Sequence, residues 1–335
     1  MDALINVANR AADWSACADR LKSGLVTGRW TVFGLLVAGI VMTLIAGRMI
    51  GGEAERPITV IGAVSYALSG FLAARLQSAQ RTTAWTRARA AAEALKRQAF
   101  VFAAGAAPYD DPATAATLLN QERERIERDA DDLLMHLRPA QSPGSAPRTM
   151  LSQAEYRRLR IQAQAKAYYR PRAEEYGRTA DRLRMIEFAL ALGAAVIAAV
   201  GDSLQTAFRL GPETGSPAGV PTELALILTT VASAILVHIE TSRYQFLTLT
   251  YRATARRLES EDGLTPPERV ATPADWTAFV TRCEDIIACE NMSWTAKWTE
   301  TMYLPLPAAS LESSPIPGSP PAPADSEAIA ARTIE

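Results

Sequence analysis

The stretch Tyr168 to Val200, YYRPRAEEYGRTADRLRMIEFALALGAAVIAAV, limits the folds open to this chain more than any other. Its first half carries Arg170, Arg172, Arg178, Arg182 and Arg184, whereas Phe188 to Val200 has no charge and consists mostly of Ala, Leu, Val and Ile. One helix therefore changes solvent along its length, its basic end in water and its apolar end in a membrane. Three more uncharged runs accompany it: Trp30 to Gly47, Ile58 to Ala74 and Leu224 to Ile239. Runs of about 18 residues are at the short end of what crosses the hydrocarbon layer.

Arg48 to Pro57 is a short polar connection, so the first two runs read as a transmembrane hairpin; Gly201 to Glu223, rich in Gly and Pro, joins the other two. Orientation follows from the flanking cations. The outer flanks carry four or more Lys or Arg each within about 20 residues, while the two connections hold only Arg48, Arg56 and Arg209. That bias puts both termini and the central segment in the cytoplasm. The competing reading is four core helices of a soluble bundle, which the Ala and Gly content and the shortness of the third run keep open. Core helices, however, have no reason to gather cations at one end of each pair. Glu187 and Glu240 fall at span ends, where a long side chain can reach water. The expected fold class is all-α, integral to the inner (plasma) membrane, with four transmembrane helices as two hairpins and long cytoplasmic helices.

Composition narrows the function only by exclusion. A net charge of -1 leaves no cation surplus for nucleic acid. Cys17, Cys283 and Cys289 are odd in number and unpaired in spacing, which reads as reduced thiols. The N-terminus lacks the basic-then-apolar order of a signal peptide, so insertion is expected to use internal spans.

An internal repeat supports the pairing. ADRLK at Ala18 to Lys22 returns as ADRLR at Ala180 to Arg184, and RAAAEAL at Arg89 to Leu95 as RATARRL at Arg252 to Leu258, shifts of 162 and 163 residues. The expected organisation is a first two-span half over 1–140, a linker at 141–150 broken by Ser142 to Pro147, a second two-span half over 151–303 and a disordered Pro-rich tail over 304–335. Leu4, Val7, Ala8, Ala11, Trp14, Ala18 and Leu21 form one face of a helix that ends in the basic patch Arg20, Lys22 and Arg29. Thr83 to Ala104 is expected to continue the second span, and Thr241 to Glu261 the fourth. Asp111 with Pro112 reads as a helix start, and Leu119, Ile126, Leu133 and Leu137 follow as a narrow seam suited to a coiled coil. Thr272, Pro273 and Asp275 predict another start, ahead of a helix with Trp276, Phe279, Val280, Cys283, Ile286, Ile287 and Trp294 on one face.

Motifs that carry chemistry are mostly absent from the sequence. His136 and His238 have no ligand-spaced partners, so no metal site, cofactor or catalytic residue is assigned, and no phosphate loop, dinucleotide fingerprint or nucleophile elbow is present. Asp131 and Asp132 belong to a solvated charge run. Within the spans, Ser65, Tyr66 and Ser69 on the second and Thr229, Thr230 and Ser233 on the fourth are hydroxyl residues that either pack helices or line a water-filled path. Arg75 and His238 correspond at the cytoplasmic mouths, where they tune an ion path or anchor headgroups. Tyr168, Arg172 and Tyr176 recur every four residues, consistent with an interfacial belt. Trp294 and Trp298 repeat that spacing and suit either cation–π packing or membrane-surface contact.

The segment WTRARAAAEALKRQAFVFAAGAAPY at Trp85 to Tyr109 resembles one branch of the SLATT superfamily, two-span effector domains associated with nucleotide-second-messenger systems. AYYRPRAEEYGRTADRLR, TYRATARRLE and WTAKWTE in the second half resemble a sister branch. The resemblance covers about residues 3 to 300 and rests on helix order and scattered Trp, Tyr, Arg and Glu, with Trp85, Arg89, Glu93, Tyr168, Arg172 and Tyr176 as its cytoplasmic signature. It implies a non-enzymatic membrane effector in bacterial conflict systems. The function expected is a homo-oligomeric pore or channel gated through its cytoplasmic helices, in contact with lipid and with a cytoplasmic sensor protein. The alternative is a non-conducting anchor or scaffold that recruits a cytoplasmic partner.

Overall fold

The computed structural model describes residues 1–48, 55–76, 78–207 and 220–300; both span-connecting loops, in whole or part, and the Pro-rich tail lie outside the described residues, as do the side chains of Trp294 and Trp298. Every described element is helical. The apolar face at the N-terminus does what its period predicts: Leu4, Val7, Ala8, Ala11, Trp14 and Ala18 are all buried. The helix they belong to, α1 (Asp2–Arg48), does not end at the basic patch. It runs 47 residues without interruption, roughly 70 Å. No proline interrupts it, and long cationic side chains can leave the helix surface for water without breaking it.

Helix α2 (Glu55–Leu76) packs on the apolar half of α1 with the opposite direction, as four contacts in register show. Gly28 meets Leu76, Ser69 Oγ donates to the Val32 carbonyl at 3.2 Å, Gly39 meets the Tyr66 ring, and Gly62 meets Thr43. A glycine in a helix interior costs about 1 kcal/mol relative to alanine. Gly39 is needed all the same, because a Cβ there would lie 3.0 Å from the Tyr66 ring. Close backbone approach through small residues is how helices associate where lipid removes the hydrophobic drive.

The helix expected to follow each even-numbered span is there in both halves, but a short break separates it from the span. Ser78, in extended conformation, precedes α3 (Ala79–Ala103), which folds back along α1. After α7 (Val220–Ser242), Arg243 adopts a left-handed conformation with φ 54° before α8 (Tyr244–Leu264). A non-glycine residue held there costs on the order of 1–2 kcal/mol, so the break is imposed by the packing around it. The two halves repeat one order: a long helix, an apolar helix on its upper part, and a returning helix on its lower part. In the second half the long helix is composite, with α5 (Gln153–Tyr156), a π-helical segment (Arg157–Tyr169) and α6 (Arg170–Ala207) in continuity. Ser152 starts it with a reciprocal capping box to Glu155. Thr272 and Asp275 form a second such box ahead of α9 (Pro273–Glu300), as their spacing predicts.

The coiled-coil expectation is corrected. Asp111 spends its carboxylate on the Ala113 N–H and the Thr114 hydroxyl, so α4 (Ala115–Arg128) starts later than its Asp-Pro signal suggests. It stops at Arg128, and Leu133 sits on a separate turn over Asp131–His136. Leu119, Ile126 and Leu133 are buried, but in the chain's own core, with α4 packed on α1 and α3. The segment around Ser142 to Pro147 lies along α1: Gly144 abuts Ala12, the Ala140 N–H donates to Asp13 and Arg148 to Asn9. One apolar core joins both halves, from Leu4 and Trp14 through Leu95 and Phe100 to Tyr156, Leu258 and Phe279.

Four helical stretches are long and apolar enough to cross a membrane, in α1, α2, the composite helix ending in α6, and α7–α8. Only 6% to 28% of each apolar stretch is buried. Val60, Ile61, Val64, Leu68 and Phe71 on α2, and Phe188, Leu192 and Val196 on α6, stand exposed together. A soluble bundle would bury these faces; contiguous apolar surface on this scale calls for lipid. The described residues are thus all helical, and four of their helices fit a multi-pass membrane protein.

Candidate functional site

The hydroxyl residues of the spans separate into two environments. On α2, Ser65 and Ser69 are buried towards α1, and Tyr66 lies over Gly39 with 40% of its surface exposed. These residues pack one helix on another. On α7 the situation is reversed: Ala225, Ala232, Ile235 and Ile239 face inward, while Thr229, Thr230 and Ser233 are exposed beside Leu226 and Val237. Each of those hydroxyls donates to a carbonyl four residues earlier, Thr229 to Ala225, Thr230 to Leu226 and Ser233 to Thr229. The hydroxyls of α2 and of α7 thus serve different surfaces.

Arg75 and His238 also part company. Arg75 is exposed in the last turn of α2. His238 is 6% exposed, with its ring centroid 4.4 Å from that of Trp30 and 5.1 Å from that of Phe33, inside the contact between α1 and α7. It is a residue of the joint between halves, not of an open mouth.

Below the spans, the core contains a layer of buried charge. Arg160, on the π-helical segment, donates Nε to Glu284 Oε1 at 2.9 Å and Nη2 to Oε2 at 2.7 Å, and the Tyr156 hydroxyl donates to the same carboxylate at 3.0 Å. Arg160 is 1% exposed and Glu284 1%. Burial works against the charge of Arg160, but Glu284 more than restores it, leaving the guanidinium above its ordinary range. The guanidinium also stacks over Phe100 of α3 at 4.5 Å, while Arg157 stacks over Phe279 at 4.1 Å and binds Asp262 at 2.6 Å. A two-bond fork fixes direction as well as distance. The π-helical segment is therefore pinned to α3, α8 and α9.

The six signature residues come together. Trp85, Arg89 and Glu93, one turn apart on α3, face Tyr168, Arg172 and Tyr176 across a cavity of about 420 Å³, which Lys22 and Asp19 of α1 and Glu290 of α9 also line. Arg89 and Glu290 pair at 3.6 Å, and Lys96 donates to Glu93 at 2.9 Å. Burial works against ionisation of Glu93, but Lys96, Arg160 and Arg89 hold its carboxyl below the usual range. Glu290 goes the other way: burial, with Glu93 nearby, pushes it up to about 7 despite Arg89.

Arg160, Glu284 and Glu290 escaped the sequence reading, although a signal existed. On α9 the apolar stripe runs Trp276, Phe279, Val280, Cys283 and Ile287, and Glu284 and Glu290 fall on the same stripe at helical spacing. A carboxylate on a buried face demands a buried cation; Arg160 answers Glu284 and Arg89 answers Glu290.

Residues 156–294 match the family model of the SMODS and SLOG-associating 2TM effector domain 1, and residues 12–116 match a family described as a protein of unknown function. The cavity lies where the two matched regions meet. No curated protein and no solved structure matches the chain.

Proposed function

We propose, for a chain that carries a SMODS and SLOG-associating 2TM effector domain, a membrane effector of bacterial conflict systems that acts by assembling into a pore. Its four apolar helices form two transmembrane hairpins in the inner membrane with both termini in the cytoplasm, an orientation supported by the cations that flank the outer ends of the spans. The observation that carries the pore reading is the outward stripe of Thr229, Thr230 and Ser233 on α7. A single copy holds this stripe against lipid, where hydroxyls gain nothing. In a closed ring of copies it faces a neighbour or a central path. Ser65 and Ser69 are occupied within the chain, so α7 rather than α2 is the lining helix.

The cytoplasmic layer supplies the coupling. Arg160 and Glu284 tie the base of the third span to α9, and His238 ties the fourth span to the first, so a shift of α9 is transmitted to both hairpins. A cytoplasmic sensor protein acting on α9 or α4 is the trigger, and no step requires catalysis. The test is conduction by purified full-length protein in a planar bilayer, alongside its oligomeric state in lipid nanodiscs. The reading expects a multimer and discrete current steps, with conductance changed at least about threefold when Thr230 and Ser233 are both replaced by Leu. A monomer without current, still retaining a cytoplasmic partner by cross-linking, supports the scaffold alternative instead.

A further inference from the structure

The cavity under the spans holds more positive charge than its ion pairs compensate. Lys22 from α1, Arg89 from α3 and Arg172 from α6 all surround the Tyr168 phenol, and Lys22 feels both guanidiniums at once. Among the described residues Lys22 makes no hydrogen bond and no salt bridge, and Asp19, one turn earlier, offsets it only at longer range. Burial, followed by the like charges, lowers its affinity for a proton. Arg172 has Glu175 at 2.8 Å, but both side chains are about half exposed, so that pair leaves the cavity side of the guanidinium little screened.

The second observation is the acid across the cavity. Glu290 is 3% exposed, Arg89 stands 3.6 Å away, and the Tyr169 hydroxyl lies near without closing a hydrogen bond on either carboxylate oxygen. A buried acceptor left so is normally met by a donor. A basic cluster from separate helices faces a buried carboxylate that is ion-paired to Arg89 but accepts no closed hydrogen bond, in about 420 Å³ flanked by Trp85 and Tyr168. That volume is within the range of small-molecule sites and far larger than an inorganic phosphate requires.

We infer that this cavity is a binding site for a phosphate ester whose organic part donates hydrogen bonds. Lys22, Arg172 and Arg89 receive the phosphate, whose charge and three acceptor oxygens suit several cations where one carboxylate would not. Glu290 accepts from a hydroxyl or amine of the organic part. Such a group reaches the cavity either as a lipid headgroup or as a soluble ester, since Lys22 lies eight residues, roughly 12 Å, below the start of the apolar run at Trp30. The site draws on both matched regions, and its occupancy does not depend on whether the spans conduct.

The experiment is a thermal-unfolding titration of the full-length protein. In detergent the probes are adenosine monophosphate and glycerol 3-phosphate, against potassium chloride of equal ionic strength. In nanodiscs the comparison is phosphatidylcholine alone against phosphatidylcholine with phosphatidylinositol 4-phosphate, whose headgroup carries both a phosphate monoester and free hydroxyls. A saturable rise in Tm of about 5 °C at 100 times Kd is expected in one arm, which identifies the source. Lys22→Met, which keeps the apolar stem, is expected to weaken binding about tenfold, and Lys22→Arg to restore it. The melting temperature without ligand serves as the folding control. No shift in either arm beyond the salt control overturns the inference, and so does a Lys22→Met protein of wild-type melting temperature that binds as the wild type does. Conductance is not read here, so failure of the pore reading and failure of this one are separate results.

Discussion

Glu284 is the residue on which most of the core below the spans turns. Its buried carboxylate accepts from two guanidinium N–H groups and a tyrosine hydroxyl. Replacing a buried ion pair by apolar residues is often neutral, but removing one partner leaves the other charge stranded, at about 3–5 kcal/mol. Glu284→Ala is therefore expected to destabilise by about that amount, and the double variant Arg160→Met, Glu284→Met by much less, as read by chemical denaturation in detergent. Equal losses in the two proteins would place the effect in packing, not charge. Glu290 gives a pH signature of opposite origin. Its folded-state pKa is raised to about 7 from 4.5 by burial and by Glu93, against Arg89. Between those values the folded chain holds a proton the unfolded chain releases, so stability falls as pH rises through the window, by roughly 3 kcal/mol in full. Below it the group makes no difference; above it the whole penalty is present. Glu290→Gln removes the titration, so its melting temperature relative to wild type should climb between pH 4.5 and 7 and then level off. A flat difference across that range would locate the buried proton elsewhere.

Among the elements, the contact of α1 with α2 is set by glycines that differ in what they meet. A Cβ at Gly39 would stand 3.0 Å from the Tyr66 ring, and one at Gly70 would meet nothing within 4 Å. Gly39→Ala is thus expected to lower stability by about 1–2 kcal/mol through overpacking, whereas Gly70→Ala should be neutral or slightly stabilising through helix propensity. Melting temperatures in one detergent compare them directly, and equal effects would contradict the register described above. At this scale the chain was readable to different depths. The amphipathic face of α1, the start of α9 and the four apolar runs are local patterns, and local patterns survive into the fold. The span-to-helix breaks at Ser78 and Arg243 were not readable, because neither carries a glycine or proline signal; they arise where a returning helix must dock on the long helix beside it. The end of α4 at Arg128 is likewise decided by burial of Leu133 on a separate turn, although the sequence alone permits the helix to go on.

For the molecule as a whole, orientation is the property the cations along the chain bear on most directly. Cys289 is exposed and Cys17 and Cys283 are buried, so the three native thiols form a topology probe without mutation. With the cytoplasmic ends placed as proposed, a membrane-impermeant maleimide should leave intact spheroplasts unlabelled and modify Cys289 after permeabilisation; labelling of intact cells would invert the topology. Four apolar runs, the cations gathered at the outer ends of each pair and the two repeated segments are legible in the sequence alone, since hydropathy and charge placement are local properties that need no partner residue. The signature residues, too, were visible as scattered Trp, Tyr, Arg and Glu. Only the tertiary structure decided that Trp85, Arg89 and Glu93 face Tyr168, Arg172 and Tyr176 around one cavity, that Glu284 finds Arg160, and that the hydroxyls of α2 turn inward while those of α7 turn out. These are matters of which faces meet across tens to more than a hundred residues of chain, and that is set by helix packing, to which periodicity within any one helix is blind.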